Sequence, residues 1–167
     1  MSLPHISSQH LSGFTLIEAL ISLTVLTLLA SVGFLGSIGS YTHELAYSNQ
    51  ITIRLALTRA RAEAINGICK GSGCTAGVDH GVYLTSSTAT VFQGSSYGSR
   101  SELFDENLPL SKIIPVPSGK EVVFASLSGT VASTTTLRWS QENSSSSTQN
   151  VTVTTEGGIS VSSALPQ

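Results

Sequence analysis

A chain of 167 residues with a net charge of −2 and only 11% charged residues has room for one globular domain beside a further N-terminal element. It carries no charge excess that would draw it to nucleic acid or to acidic lipid. All eight Lys and Arg lie at Arg54 or beyond, and Glu18 is the only carboxylate before Glu44. A stretch so poor in charge must be buried in protein or in lipid.

Residues Met1 to Gly13 are polar and unpatterned. From Phe14 to Gly39 the chain is apolar on every side of a helical wheel, with a length that matches the roughly 20 residues a bilayer-spanning helix needs. A secretory signal fits poorly. No Lys or Arg precedes the run, and a signal core is about 7–15 residues long. A plain membrane anchor would leave Glu18 unexplained, because a carboxylate in lipid needs a partner.

Tyr41 to Asn66 contains neither Pro nor Gly. Ile53, Leu57, Ala60 and Ala64 recur at spacings of three and four on one helical face. Arg54 and Arg61 fall on another side, and Arg59 can reach Glu63 one turn on. Gly67 marks a stop. One helix from Phe14 to Asn66 would be roughly 80 Å long at 1.5 Å per residue. Its first half would be apolar all round, and its second half amphipathic.

Cys69-Lys-Gly-Ser-Gly-Cys74 follows. Four intervening residues with two glycines allow the chain to bend back to disulfide geometry, and a domain outside the cytoplasm would close that bridge. Two free thiols are the alternative. A four-ligand zinc site lacks partners, since His80 is the only nearby His. No metal and no cofactor are expected.

The remainder reads as short strands. Residues 81–86 and 88–93 form a hairpin, and 95–107 is a loop. Residues 112–116, 121–126, 134–140, 150–155 and 158–162 are further strands, the last entered through a Thr-Glu-Gly-Gly turn. Pro115 and Pro117 mark an edge or an interruption, and 143–149 is a Ser-rich loop. The expected fold class is α+β, with the amphipathic half of the long helix packed on an antiparallel sheet or small β-sandwich.

No catalytic constellation is present: there is no Gly-x-Ser-x-Gly elbow and no His-Glu-x-x-His run. The chain is read as a non-enzyme. His43 and His80 are isolated and read as surface residues. Glu102, Asp105 and Glu106 read as a solvated acidic loop, and Trp139 as a core residue on a sheet face.

Gly13-Phe14-Thr15-Leu16-Ile17-Glu18 resembles the prepilin cleavage motif of type IV pilins and type II secretion pseudopilins. The resemblance implies a cut between Gly13 and Phe14 by a prepilin peptidase, N-methylation of the new Phe14 terminus by the same enzyme, and a mature chain of 167 − 13 = 154 residues. It implies segments 1–13 as leader, 14–40 as transmembrane or filament-core helix, 41–67 as its amphipathic continuation and 68–167 as a β-rich globular domain. It also implies a single-pass protein of the bacterial inner membrane, with its C-terminal domain outside the cytoplasm until assembly. Glu18 would pair with an N-terminal amine during that assembly, and the partners would be the peptidase, the membrane and other pilin or pseudopilin subunits.

Leu57-Thr-Arg-Ala-Arg-Ala-Glu-Ala-Ile-Asn66 is similar to the helix end of FimT/FimU and H-type minor pseudopilins, which points to a minor pilin or pseudopilin. A major pilin and a FimT-like DNA-binding minor pilin are the alternatives. Nucleic acid is the weaker expectation, because Glu121 to Gln167 holds one basic residue, Arg138. Two features depart from the family. The leader has no Lys or Arg, and Gly33, Gly36 and Gly39 stand where many major pilins carry Pro. Those glycines either loosen the helix or pack against a neighbouring helix.

Overall fold

The computed structural model describes residues 15–72, 74, 77–140 and 148–164, without the side chains of 32–40, 42–43 and 163–164. The chain divides into two units, Met1–Ser40 and Tyr41–Gln167. One helix, α1 (Leu16–Ile65), contributes to both.

In the first unit α1 begins at a cap. The Thr15 hydroxyl accepts the Glu18 N–H at 3.3 Å, and the Thr15 carbonyl accepts the Ala19 N–H at 3.1 Å. Thr15-Leu-Ile-Glu18 thus holds the first turn as one half of a capping box, with the Glu18 charge at the positive end of the helix dipole.

In the second unit the residues expected on one face are those that are buried. Ile53, Ala56, Leu57, Ala60 and Ala64 are all fully covered. Three alanines four residues apart let the helix backbone lie close to what it packs on. The helix ends as the sequence predicts: Gly67 takes a φ of +60°. Its N–H bonds Ala64 O at 3.0 Å, and Ile68 N–H bonds Glu63 O at 3.0 Å. These are the two bonds of a Schellman stop, and glycine adopts the left-handed conformation they require at little cost.

Seven strands follow: β1 (His80–Leu84), β2 (Thr88–Gln93), β3 (Glu106–Pro109), β4 (Lys120–Phe124), β5 (Thr135–Ser140), β6 (Thr148–Val153) and β7 (Ile159–Ala164). They form two antiparallel sheets, ordered β3-β2-β1-β4 and β5-β6-β7. The fold is α+β. Both sheets share one core with α1: Val82, Val91 and Phe124 from the first and Leu137, Trp139, Val151 and Val153 from the second join the buried helix face. Alternation does this work in β5 and β6, where every second residue is buried. Trp139 is a core residue, as its sheet-face position predicts.

Three expectations need correction. Residues 112–116 are not a strand: Lys112–Ile114 form a turn, and no ladder includes them. Pro115 and Pro117 remove N–H donors at alternate positions, so this edge has too few donors to pair. The segment is held through side chains instead, with Ile114 and Val116 buried. Asn49 on α1 accepts the Ser111 N–H at 2.8 Å and donates to Ser111 O at 3.2 Å, which satisfies both backbone groups as a strand partner would. Second, the 95–107 segment is not loop throughout. It holds two single-turn 3₁₀ helices, Tyr97–Ser99 and Glu102–Phe104, and β3 begins at Glu106. Third, His80 is buried, with no exposed surface.

Candidate functional site

The predicted processing and assembly residues fall at one end of α1. Gly13 and Phe14 lie outside the described residues. Glu18 is exposed in the first turn. Beyond it, nine large aliphatic side chains between Leu16 and Leu29 are at least half exposed, Leu16 at 80% and Leu28 at 68% among them. They point to all sides of the helix.

Three of the hydroxyls in and just beyond this stretch bond back to the helix. Thr24 donates to Ile21 O at 2.8 Å, Thr27 to Thr24 O at 2.9 Å and Ser31 to Leu28 O at 2.8 Å. Each bond returns to the helix's own backbone, which makes a polar side chain tolerable in apolar surroundings. Among the described residues no helix is long and apolar enough to cross a membrane. The expected apolar run continues past Ser31 into residues 32–39, whose side chains lie outside the description.

A second cluster lies where α1 ends, within the second unit. Cys69 and Cys74 form a disulfide with Cα atoms 5.7 Å apart. The loop it closes is clasped by Gln93 at the end of β2. The Gln93 carbonyl accepts the Lys70 N–H at 2.6 Å, and its amide donates to Lys70 O at 3.1 Å. The clasp brings the Lys70 amine to both Glu63 carboxylate oxygens at 3.1 Å. Glu63 is buried and also accepts from Arg59 Nε at 3.4 Å, the predicted one-turn pair. Arg59 in turn binds Glu106.

His80 completes the cluster. Its Nδ1 lies 3.0 Å from Val78 O and its Nε2 lies 3.5 Å from Glu63 Oε2, without a hydrogen bond. Burial pushes the imidazole below its ordinary pKa. The Glu63 charge and the Val78 carbonyl pull the other way and do not overcome it.

This arrangement ties helix, disulfide loop and sheet together through paired charges. It contains no nucleophile beside a base. Among the described residues no group of three or more His, Cys, Asp or Glu side chains comes together to hold a metal ion. The acidic loop residues are engaged too: Arg100 bonds Asp105 at 2.7 Å and Glu102 at 3.5 Å. Of the basic side chains near the helix end, Arg59 pairs with Glu63 and Glu106, and Lys70 with Glu63.

Sequence reasoning missed Gln93 and misplaced His80. The sequence carried a signal for part of the cluster only: in a chain with 11% charged residues, a carboxylate beside an alanine-rich buried face demands partners, while the placement of His80 near Glu63 and of Gln93 on Lys70 is set by the tertiary fold.

The chain matches no protein-family model, no curated protein and no solved structure.

Proposed function

We propose that the chain is a structural subunit of an extracellular filament, a minor pilin or pseudopilin of a type IV pilus or type II secretion pseudopilus. It is made as a precursor that a prepilin peptidase cuts between Gly13 and Phe14 and methylates at Phe14. It waits in the bacterial inner membrane with its β domain outside the cytoplasm, and enters the filament through α1.

The observation that carries this reading is the uncovered aliphatic surface from Leu16 to Leu29 with one carboxylate, Glu18, in its first turn. Moving nine such side chains out of water is worth on the order of 10–15 kcal/mol, a surface that demands lipid or a bundle of like helices. The hydroxyls bonded back onto the helix suit either environment. The disulfide suits a domain outside the cytoplasm. Glu18 then has a role that a plain anchor does not offer: it meets the N-terminal amine of Phe14, in its own or an adjacent subunit, as the helix leaves lipid for the bundle.

Intact-mass and N-terminal analysis of the native protein tests the reading. The expected result is a chain starting at N-methylated Phe14, and a mature chain still starting at Met1 overturns it. Glu18→Ala tests the assembly step. The variant is expected to be processed and held in the membrane but scarce in sheared filaments, and normal filament levels would remove Glu18 from the mechanism.

A further inference from the structure

Two arginines of α1 line one cleft. Arg54, Thr58 and Arg61 follow at helical spacing and enclose a space of about 280 Å³ with Ala62, Ile65 and Ile159. Among the described residues neither arginine pairs with a carboxylate. Arg61 is held in place. A Cβ on Gly129 would lie 3.3 Å from Arg61 Cγ, and one on Gly157 would lie 2.8 Å from its Nε. The side chain thus runs through the gap that the two glycines leave. Its Nε is buried without a hydrogen-bond partner, and Nη2 reaches only the Glu156 carbonyl, at 3.4 Å. Buried donors on a cation are ordinarily paired. The fold fixes one guanidinium on the same open cleft as a second, with no described carboxylate on either.

The planar fork of N–H donors fits a carboxylate, and Ala62, Ile65 and Ile159 offer apolar contact to the stem that carries it. The chain presents one carboxylate of that kind. Every other described carboxylate of the second unit meets a cation or a hydrogen-bond donor. Glu44 is exposed on α1 and meets neither among the described residues. It cannot serve its own cleft. At 1.5 Å per residue, Glu44 lies about 15 Å from Arg54 and about 26 Å from Arg61 along the helix. Beyond it Tyr47, Ile51 and Leu55, at four-residue steps, are each half exposed, an apolar strip that the chain's own sheets leave uncovered.

We infer that the cleft receives Glu44 of a second copy of this chain. The inference rests on the filament reading, which fixes the direction of the two helices. Copies drawn from one membrane keep α1 parallel, so an antiparallel pair exchanging Glu44 and Arg61 across a two-fold axis is excluded. Parallel helices bring the carboxylate to the arginines only when one copy stands about 15–26 Å further along the axis. The contact then uses a different surface on each copy. The upper copy's arginines and the lower copy's Glu44 stay open for the next ones, so the contact repeats without closing.

Arg54→Lys makes the contact readable. It keeps the charge at an exposed position and supplies an amine. A carbodiimide condenses that amine with a touching carboxylate to an amide and takes up the water as a urea. Glu44 and the new amine of one chain are too far apart to react, so any amide between them joins two copies. Sheared filaments carrying the variant should give dimers and higher multimers of the chain, with the amide mapped by mass spectrometry to Glu44 and position 54. Adding Glu44→Gln should abolish them. Glu44→Arg on the unaltered chain should lower its amount in sheared filaments at least tenfold at an unchanged membrane level. Filaments that contain the chain, starting at N-methylated Phe14, and give no Glu44 amide overturn this inference and leave the filament reading standing. Equal filament levels of Glu44→Arg, or an amide to another protein's carboxylate instead, do the same. A chain that keeps Met1 and stays out of filaments overturns both.

Discussion

Gln93→Leu isolates the clasp that holds the disulfide loop to the sheet. The side chain makes two hydrogen bonds to one backbone unit, to the Lys70 N–H at 2.6 Å and from its own amide to Lys70 O at 3.1 Å. Leucine keeps the bulk and loses both. At about 1 kcal/mol per bond the direct loss is about 2 kcal/mol, since Lys70 is half-buried and water recovers part of the deficit. A further loss follows through Glu63. Its carboxylate is nearly covered and depends on the Lys70 amine at 3.1 Å. Freed of the clasp, Lys70 leaves a buried charge held by Arg59 alone, and the total rises to about 3 kcal/mol. Urea unfolding of the full chain in micelles reads the effect through Trp139, the only tryptophan and a buried one. With a slope of about 2 kcal/mol per molar urea, the midpoint falls by about 1–1.5 M. Gln93→Glu retains the acceptor for the Lys70 N–H and should fall between. A Gln93→Leu shift under 0.2 M, on the order of 0.4 kcal/mol at that slope, would show that the clasp is geometry without energy.

Two other outcomes follow from the second unit. Gly157 has a φ of +78°, and a Cβ there would sit 2.0 Å from Gly129 O, so Gly157→Ala combines left-handed strain with a backbone clash and should cost about 3 kcal/mol. Calorimetry should show a fall of about 10 °C in Tm, while Gly98→Ala, where nothing lies within 4 Å, leaves Tm unchanged. The pH dependence follows from His80, whose pKa is lowered in the folded state by burial. The unfolded chain therefore binds the proton first, so the stabilisation from a neutral His80 is complete above the unfolded value of about 6.5 and is lost as pH falls through the folded pKa. Denaturant midpoints from pH 7.5 to 4.5 should decline by at most about 1.4 kcal/mol per pH unit from this group, and His80→Phe should flatten that part of the profile. A profile unchanged by His80→Phe would refute the assignment.

How much was legible in the sequence depended on which physical signal carried each element. The amphipathic half of α1 and its stop at Gly67 came from side-chain periodicity and backbone permissiveness, both local properties. Six of the seven strands came from the strand pattern, with ends displaced by at most two residues. The segment around Ile114 failed because its aliphatic pattern suits a strand while its prolines lack the donors; backbone hydrogen bonding outranked side-chain pattern. β3 was missed because Glu-Asn-Leu-Pro carries almost no strand signal. It exists because β2 offers it a partner, a non-local cause no window can register. Gln93 and His80 are the same case at the site: each is polar at a strand end, and only the arrival of Lys70 and Glu63 gives it a purpose.

The two parts of α1 show what pattern can and cannot say about environment. In Ile53 to Ala64 the apolar residues keep a helical period, so one face is assigned to the core and the other to water. The structure covers that one face with both sheets. From Leu16 to Leu29 no period exists, and the absence is informative: a helix with no polar face has no side to give to water. Nine exposed aliphatic side chains and hydroxyls that bond inward to their own carbonyls make the same point in three dimensions. What neither pattern nor burial reaches is the choice between lipid and other helices, because both are apolar on all sides. That choice falls to Glu18, the one group in the run for which the two environments differ. In lipid its carboxylate is a penalty, and beside a free Phe14 amine it becomes half of an ion pair. On the proposed filament reading, the Glu18→Ala phenotype would separate membrane residence, which the aliphatic surface alone would support, from assembly, which is proposed to need the charge.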